Sequence, residues 1–270
     1  MRTITALFVG LGSIGTRHLK NLANLCADRG WTLQADALRS DLTRPLRPGA
    51  AELLHAQYTD LAAAPAHYDM VFITNPTSLH AEALRQVKGR GEALFIEKPI
   101  FSAEQTGLAL DELLPAGQKA YVAAPMRWCG AMLALKDRLP ALQPYCARVL
   151  CSSYLPDWRP GVDYRTVYSA RKALGGGVTI DLIHEWDYLV ELFGVPEKLY
   201  NFKGTYSELE IDSDDLSVYI AKYPTLLAEV HLDYFGRGYR RSIELFCRDG
   251  SYLADFGKGT LTLPDGTVQH

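Results

Sequence analysis

The stretch that decides the fold is Ile4-Thr5-Ala6-Leu7-Phe8-Val9-Gly10-Leu11-Gly12-Ser13-Ile14-Gly15. Its mostly apolar beginning runs straight into glycines, which is typical of a buried parallel strand. The glycines fit the pattern G-x-G-x-x-G, and leucines at helical spacing follow from Arg17 to Cys26. A strand, a glycine turn and a helix in this order predict the first βαβ unit of a dinucleotide-binding domain.

Each glycine of this loop has a predicted role. Gly10 permits the tight turn, Gly12 lets the backbone approach a pyrophosphate, and Gly15 lets the helix pack closely on its strand. Ser13 and Ile14 open the helix, where free N–H groups and a partial positive charge attract phosphate. These five residues are therefore predicted to bind the cofactor, and a plain tight turn is the alternative.

The rest of the chain predicts two domains. In the first half, apolar strands alternate with helical patterns, which favours a doubly wound parallel sheet of the Rossmann type. In the second half, strand-like segments follow one another with a single helical segment, Val178–Phe193, among them, which favours an α+β domain with an open, mostly antiparallel sheet. We predict a dinucleotide-binding domain at 1–125 and a domain for substrate binding and oligomerisation at 126–270. The predicted strands are Ile4–Val9, Leu33–Leu38, Met70–Thr74, Ala93–Ile96, Tyr121–Ala124, Val149–Tyr154, Leu199–Tyr206, Leu216–Tyr223, Leu226–Tyr234, Ser242–Arg248 and Thr260–Leu263; the helices of the first half are Arg17–Cys26, Leu79–Val87 and Glu104–Leu114.

Composition excludes several classes of protein. The 270 residues carry 28 Lys+Arg against 31 Asp+Glu, so the net charge of -3 offers no footprint for nucleic acid or an anionic membrane. The five cysteines form no CxxC pair and no zinc-like cluster, so we expect no metal site and a cytoplasmic location. The opening apolar stretch is too short for a membrane span and shows no cleavage site, so we expect neither a leader nor an anchor.

The second predicted strand bears on the choice of cofactor. Asp36 lies within the strand, whereas the tip reads Leu38-Arg39-Ser40 with Arg44 close behind. A guanidinium and a hydroxyl at the place of the usual ribose-binding carboxylate suit a 2′-phosphate. The sequence therefore predicts NADP in preference to NAD, bound by Arg39 and Ser40. A solvated loop charge is the alternative for Arg39.

Polar residues follow two further strands, at the carboxyl edge where open α/β sheets bind ligands. Asn75, Pro76, Ser78 and His80 follow one strand, and Glu97 and Lys98 follow the next. We predict that they contact the nicotinamide end of the cofactor, with Lys98 also catalytic. His80 alone is more often a residue with a structural hydrogen bond.

A third cluster lies in the second half, where Gly175-Gly176-Gly177 precedes a helical pattern with Asp181 and His184. Residues three apart on one helix share a face, so a common ligand is within reach of both. Histidine suits proton transfer near neutral pH, which makes His184 the candidate general acid/base. The second histidine of H-E-x-x-H is absent, so a zinc-protease site is not predicted.

At these segments the sequence resembles the Gfo/Idh/MocA oxidoreductases (glucose–fructose oxidoreductase, inositol dehydrogenase and rhizopine-catabolism proteins). The resemblance covers nearly the whole chain and rests on the glycine loop, the Asn75–His80 stretch, Glu97-Lys98-Pro99 and the glycine-led helix of 175–187. It implies a Rossmann domain, an open-faced β-sheet domain, a nicotinamide cofactor and a sugar or cyclitol substrate. It also implies a catalytic Lys/Asp/His set, which by position falls on Lys98, Asp181 and His184.

Two departures from the family pattern stand out. Many members have the Asp and His four residues apart, whereas here they are three apart, so alignment on His184 puts Ile180 at the acidic position; Asp187 is the other acid nearby. The pattern Asp-Leu-x-His-Glu-x-Asp-Tyr, from Asp181 to Tyr188, resembles a subgroup found with genes for surface polysaccharides and nonulosonic acids. The chain is also short for the family, which suggests a trimmed second domain.

The remaining predictions concern substrate and partners. Aromatic faces and guanidinium forks bind sugars and their anionic substituents, so we expect substrate contacts from the second half. The candidates are Arg127, Trp158, Arg159, Tyr164 and Tyr168. The function predicted is hydride transfer between NAD(P) and a secondary alcohol or ketone of a sugar, nucleotide-sugar or cyclitol. A non-catalytic NAD(P)-binding sensor and a lyase or hydrolase using tightly bound NAD transiently are the alternatives.

A homo-oligomer, dimer or tetramer, is expected through the second sheet. The alternation along residues 216–221 predicts that Leu216, Val218 and Ile220 are buried and that the intervening residues lie on a semi-polar face. Tyr219, Leu227 and Tyr234 are then expected to be semi-exposed on the sheet, and an uncovered apolar sheet surface usually has a partner.

Overall fold

The computed structural model describes residues 1–102, 105 and 107–270, in two compact units, Met1–Ala123 and Ala124–His270. In its described residues, each unit contains one sheet. Among the described residues, none of the helices combines the length and the hydropathy that crossing a membrane requires.

The first unit is built on a six-stranded parallel sheet of order β3-β2-β1-β4-β5-β6. The order reverses between β1 and β4, so the carboxyl ends of these strands flank a topological switch point, where such sheets bind ligands. The predicted Rossmann fold is confirmed, and β3 is a strand that the sequence pattern did not single out. The strands are β1 Thr3–Val9, β2 Thr32–Leu38, β3 Leu54–Tyr58, β4 Tyr68–Ile73, β5 Gly91–Ile96 and β6 Lys119–Val122.

The helices of this unit are α1 Ser13–Asp28, α2 His80–Gln86 and α3 Leu110–Leu113. Helix α1 agrees with the predicted pattern, since Leu19 and Cys26 are buried, although Leu25 is half exposed. Of the predicted helix at Glu104–Leu114, the described residues confirm only α3, with Gln105 in a separate 3-10 turn. Residues 103, 104 and 106 lie outside the described residues.

The core of this unit lies on both faces of the sheet. Phe8 stacks on Phe72 with ring centroids 4.4 Å apart, and Phe72 stacks on Phe95 at 5.3 Å. Leu7, Val9 and their neighbours pack on the other face against α2. Because β1 is apolar on both faces, it is buried in the centre of the sheet, as its sequence predicts.

The second unit contains an eight-stranded sheet of order β14-β13-β12-β11-β7-β10-β9-β8. Every neighbouring pair is antiparallel except β7 and β10, which run parallel. The predicted mostly antiparallel sheet is therefore confirmed. Its strands are β7 Cys146–Tyr154, β8 Lys198–Gly204, β9 Leu216–Lys222, β10 Leu227–Asp233, β11 Phe235–Cys247, β12 Gly250–Asp255, β13 Thr260–Thr262 and β14 Val268–Gln269; the helices are α4 Gly130–Arg138, α5 Val178–Asp181 and α6 His184–Phe193.

The predicted orientation of β9 is wrong. Ser217, Tyr219 and Ala221 are buried, whereas Leu216 and Val218 are half-buried and Ile220 is 39% exposed. Tyr219 packs edge-on against Trp186 of α6, at 4.9 Å between centroids. The most apolar side of this strand therefore faces away from the helices, and the sheet has an open face with apolar residues on it.

Candidate active site

The glycine loop forms the tight turn that the sequence predicts. Gly10 has φ 81° and donates its N–H to the carbonyl of Leu38 at 2.9 Å. A Cβ at Gly10 would lie 2.7 Å from Cα of Asn75, and one at Gly15 would lie 2.7 Å from both the carbonyl oxygen of Gly10 and Oγ1 of Thr74. Only glycine fits either position, since real Cβ atoms do not approach other atoms so closely.

The loop fits a pyrophosphate group. Helix α1 begins at Ser13 with Gly12 as its N-cap, and no described side chain hydrogen-bonds to the cap, so its first N–H groups remain available to an anion. Apart from its chain neighbours, no described residue comes within 4 Å of the point that a Cβ on Gly12 would occupy, so the backbone is accessible there. Beside the loop, Oδ1 of Asn75 is buried without a hydrogen-bond partner among the described residues. Such an orphaned acceptor suits a ligand that brings a donor.

The tip of β2 carries Arg39 and Ser40. Nη1 of Arg39 donates to Oε1 of Gln57 at 2.7 Å, and Nη2 donates to the carbonyl of Arg44 at 2.5 Å. Asp36, by contrast, is buried within the strand and accepts from the Tyr68 hydroxyl at 2.8 Å. Burial and the neighbouring carboxylate raise the pKa of Tyr68 far above its usual range, so Tyr68 remains a donor. The Asp36 carboxylate is thus hydrogen-bonded inside the sheet.

His80, predicted to contact the cofactor, is buried between two backbone carbonyls. Its side chain is 1% exposed, with Nδ1 3.1 Å from the carbonyl of Ile100 and Nε2 3.0 Å from the carbonyl of Asn75. Burial lowers the pKa of His80, although both carbonyls oppose this effect. His80 therefore joins two loops below the surface. Pro76 and Ser78 are exposed on the same segment and remain candidates.

Glu97, predicted to contact the cofactor, makes its side-chain hydrogen bonds inside the fold. It is 8% exposed, Oε1 lies 2.6 Å from Nε2 of His18, and Oε2 accepts the N–H of Lys98 at 3.1 Å. Both carboxylate oxygens are therefore used inside the fold. Lys98 itself is half-buried, and its peptide bond with Pro99 is cis. His18, on α1, is a residue of this site that the sequence reading missed.

In the second unit, the predicted continuous helix of 178–193 is wrong. It is broken at Leu182 and Ile183, so Asp181 ends α5 and His184 begins α6. Their spacing of three therefore does not place them on one regular helical face. His184 stands instead at the N-terminus of a ten-residue helix.

The glycine run has a steric reason. Gly175 and Gly177 have φ of 83° and 130°, and a Cβ on Gly176 would overlap the carbonyl oxygen of Tyr168. The turn places α5 against Asp214, whose Oδ2 accepts from both the N–H and the hydroxyl of Thr179, at 2.9 and 2.6 Å. Asp214 thus caps α5 from a distant segment, as an N-cap side chain does.

Asp181 is held by a buried tyrosine. The Tyr234 hydroxyl donates to Oδ2 of Asp181 at 2.6 Å, and the ring of Tyr234 meets Trp158 edge-on at 5.2 Å. Burial, together with Asp181, raises the pKa of Tyr234 well above its usual value, so the hydroxyl keeps its proton and remains a donor. Contrary to prediction, Tyr234 is fully buried and takes no part in a sheet surface.

The start of α6 is fixed by an ion pair. Glu185 is fully buried, and its carboxylate accepts from Nε and Nη2 of Arg241 on β11, at 2.6 and 3.0 Å. Because Glu185 follows His184 directly, this bidentate ion pair holds the backbone next to His184 against the sheet. His184 is half-buried.

The predicted substrate residues fall into two groups. Trp158 and Arg159 are exposed, and they remain candidates. Arg127 instead forms ion pairs with Asp187 and Glu191, both at 2.6 Å, and so clamps its turn to α6. The Tyr164 hydroxyl accepts a hydrogen bond from the backbone N–H of residue 210, and the Tyr168 hydroxyl donates one to the carbonyl of residue 175. The polar groups of these three residues thus bond within the fold, and their contact with the substrate stays a prediction.

No three His, Cys, Asp or Glu side chains of the described residues are grouped so that they could hold a metal ion.

Residues 4–123 match the model of the Gfo/Idh/MocA oxidoreductase family, NAD-binding Rossmann fold. The N-terminal unit belongs to the Gfo/Idh/MocA family. The predicted family and the prediction of an NAD(P)-dependent oxidoreductase are thereby confirmed.

A curated relative and two solved structures extend the likeness beyond the Gfo/Idh/MocA domain. The uncharacterized oxidoreductase YrbE of Bacillus subtilis is 24% identical over 96% of this chain and 76% of its own. The WlbA dehydrogenase of Bordetella pertussis, in complex with NADH and UDP-GlcNAcA, has a TM-score of 0.75 at 19% identity, over 93% of this chain and 78% of that one. A levoglucosan dehydrogenase in complex with NADH has a TM-score of 0.78 at 17% identity, over 98% and 77%. At these identities the two structures show the fold.

The hydrogen bond from Tyr234 to Asp181 yields a prediction about stability. Tyr234→Phe removes a donor to a carboxylate, so the free energy of unfolding should fall by about 1–2 kcal/mol. Tyr223→Phe is the matched control, because the buried Tyr223 hydroxyl has no partner among the described residues and should cost little. Urea unfolding of both variants measures the difference, and equal effects would contradict the assigned bond.

Proposed function

We propose that this chain oxidises a secondary alcohol on a sugar, nucleotide-sugar or cyclitol, or reduces the corresponding ketone, with a nicotinamide dinucleotide. The glycine turn at the end of β1 carries the proposal, since its exposed backbone and the helix behind it suit a diphosphate. In this proposal the first unit binds the dinucleotide and the second binds the substrate. Two of the similar structures support the substrate class, since one is a complex with UDP-GlcNAcA and the other is named a levoglucosan dehydrogenase.

The chain's own residues would handle the proton and the charge on oxygen. The nicotinamide, when bound, supplies or accepts the hydride. Lys98 is assigned to stabilise the negative charge that develops on the substrate oxygen, and His184 to give or take its proton. Asp181, fixed by Tyr234, is assigned to orient the substrate. Trp158 and Arg159 are assigned to its binding.

Turnover of a Lys98→Ala variant tests the role of the lysine. The variant should bind the dinucleotide nearly as well as the unchanged chain, while kcat falls by about a hundredfold or more, because the cation is needed mainly in the transition state. A panel of free and nucleotide-linked sugars, followed through NADP⁺ reduction, provides the assay. The control is Lys88→Ala, an exposed lysine just beyond α2. Unchanged turnover would remove Lys98 from the mechanism.

The same assay separates the alternatives. A sensor would bind NADPH and never oxidise it, whichever sugar product is offered. A lyase or hydrolase that uses NAD transiently would copurify with its cofactor and accumulate no net NADH while consuming its substrate. Either outcome would contradict the proposed net oxidation or reduction.

We further propose a preference for NADP over NAD. Arg39 stands at the tip of β2, Ser40 beside it is exposed, and Asp36 is turned into the sheet. A guanidinium has five N–H donors, so Arg39 can keep its bonds to Gln57 and Arg44 while others reach a phosphate. Charge-assisted bonds of this kind recognise a 2′-phosphate.

Replacing Arg39 should change the cofactor preference. Arg39→Ala should raise the Kd of NADPH about tenfold, the loss of roughly 1.4 kcal/mol, and leave that of NADH within about twofold. Fluorescence titration with each nucleotide measures both constants, with Arg29→Ala at the far end of α1 as the control. An equal loss for both nucleotides, or no loss, would contradict the role of Arg39 at the 2′-phosphate.

We also propose that the chain forms a homo-oligomer through the open face of the second sheet. Tyr200 and Phe202 of β8 are 62% and 75% exposed, and they pair across the ladder with Ile220 and Val218. Leu227, one of the predicted surface residues, is also exposed, at 45%. Directly opposed residues share a face, so these side chains form an apolar area that a second copy can cover.

A charge on this face should prevent association. Phe202→Glu should lower the mass of the particle in sedimentation to that of a smaller assembly, since an unpaired carboxylate is costly to bury. Val195→Glu is the control, because Val195 is 80% exposed in a loop after α6. Equal masses for the two variants and the unchanged chain would contradict this interface.

We propose a cytoplasmic location, with which the free cysteines accord. All five lie in the described part of the chain as free thiols, and reducing compartments keep thiols in this form.

A further inference from the structure

Glu97 joins two parts of the proposed cofactor domain. Its backbone N–H continues the ladder of the sheet by donating to the carbonyl of Ile73 at 3.0 Å. Its carboxylate lies beyond the end of β5, where Oε1 meets the imidazole of His18 at 2.6 Å and Oε2 accepts the N–H of Lys98 at 3.1 Å. One buried carboxylate thus connects helix α1 with the backbone of the candidate catalytic lysine.

His18 is well placed to hold this carboxylate still. Its ring lies 4.7 Å from that of Phe95 and 6.2 Å from that of Phe72, and its side chain is only 17% exposed. Because a carboxylate can only accept, Nε2 of His18 must carry the hydrogen of this bond. A short bond in such a packed setting leaves the Glu97 side chain, itself 10% exposed, little freedom to rotate.

The position of His18 along α1 connects its contact with Glu97 to the glycine loop. Gly15 packs against Gly10 and Thr74, and His18 lies three residues, about one turn, farther along the helix. The helix therefore presents, at its start, the N–H groups proposed to bind phosphate, and through His18 it contacts Glu97 one turn later. The chain of contacts runs from the glycine loop through His18 and Glu97 to the N–H of Lys98.

We infer that His18 and Glu97 are positioning residues, through which the helix that binds the dinucleotide holds the backbone of Lys98 in place for catalysis. This inference rests on the proposed function and adds to it two residues that neither touch the reacting atoms nor bind the cofactor. Placement matters at this scale, since a displacement of about 1 Å can cost a hundredfold in rate.

A double-mutant cycle on turnover tests the inference. His18→Ala should lower kcat ten- to a hundredfold and leave the KM of the sugar within about twofold. His18→Gln, whose amide can still donate to Glu97, should recover most of the loss. In the Lys98→Ala background, His18→Ala should lower kcat by less than about twofold, because the residue through which it acts is gone. His67→Ala, an exposed histidine in the same unit, is the control.

The outcome that overturns the inference is distinct from general destabilisation. If His18→Ala lowers kcat by the same factor with and without Lys98, or leaves it unchanged, His18 does not act through the lysine. If His18→Gln is as impaired as His18→Ala although its melting temperature is that of the unchanged chain, the bond to Glu97 is not what matters.

Hydrogen exchange of the Lys98 amide provides a readout that needs no turnover. In His18→Ala this amide should exchange about tenfold faster, because Glu97 is released, while Leu94 and Ile96 of β5 keep their protection. If the unchanged chain turns over none of the sugars, the proposed function fails, and exchange still decides whether the contact exists. Unchanged protection at Lys98 would overturn the contact itself.

Discussion

The rest of the first unit depends on the close approach of the Gly10 turn to Thr74 and Asn75. The ends of β1 and β4 meet there without a side chain between them, and the Thr74 hydroxyl donates to the carbonyl of Gly10 at 2.5 Å. Gly10 and Gly15 have no Cβ, and α1 can therefore begin directly against the sheet; a Cβ at either position would overlap neighbouring atoms. The direction of its first N–H groups, and with it the place for a diphosphate, follows from this contact.

The second unit solves a similar problem with different means. Its glycines at 175–177 let the chain pass the backbone of Tyr168 and Ser169, and side chains distant in sequence then fix the short helix α5. Asp214 caps α5, and Tyr234 holds Asp181. The helix break between Asp181 and His184 means that these two residues are positioned independently, each by a strand or loop far away in sequence.

The sequence alone predicted the fold well because local patterns along the chain determine most of this fold. The apolar run of β1, the glycines and the alternation of strands and helices each constrain the backbone over a few residues. The errors arose where local patterns are ambiguous. In β9 both sides are apolar enough to be buried, so alternation could not tell which side faces the helices, and Ile220 is exposed while Ser217 is buried. Residues 178–193 keep their apolar spacing across the break between α5 and α6. The break accompanies tertiary contacts of α5, which the local sequence does not reveal.

The side chains of the site were harder to predict for one physical reason. Motifs identify polar residues at strand ends, but they do not reveal which of these residues have a buried partner elsewhere. His80 and Arg127 have the chemistry of ligand contacts, yet carbonyls and carboxylates inside the fold already engage them. Conversely, His18 and Arg241 matter because each holds a buried carboxylate beside a candidate catalytic residue.

Such pairs carry a cost that explains where they are found. A carboxylate removed from water loses its hydration, and breaking the pair would leave an uncompensated buried charge, so a buried ion pair often adds little net stability. Glu185 is fully buried in the second unit, where the side chain of its partner Arg241 is 14% exposed, and Glu97 is 8% exposed in the first. Well-packed apolar residues in place of a buried ion pair often cost no folding energy, but they would not supply the directional bonds at the N–H of Lys98 and at Glu185, the neighbour of His184. Glu97 precedes Lys98 and Glu185 follows His184, so each buried carboxylate lies next to a residue assigned to the chemistry. This is the arrangement expected if the carboxylates serve to position those residues.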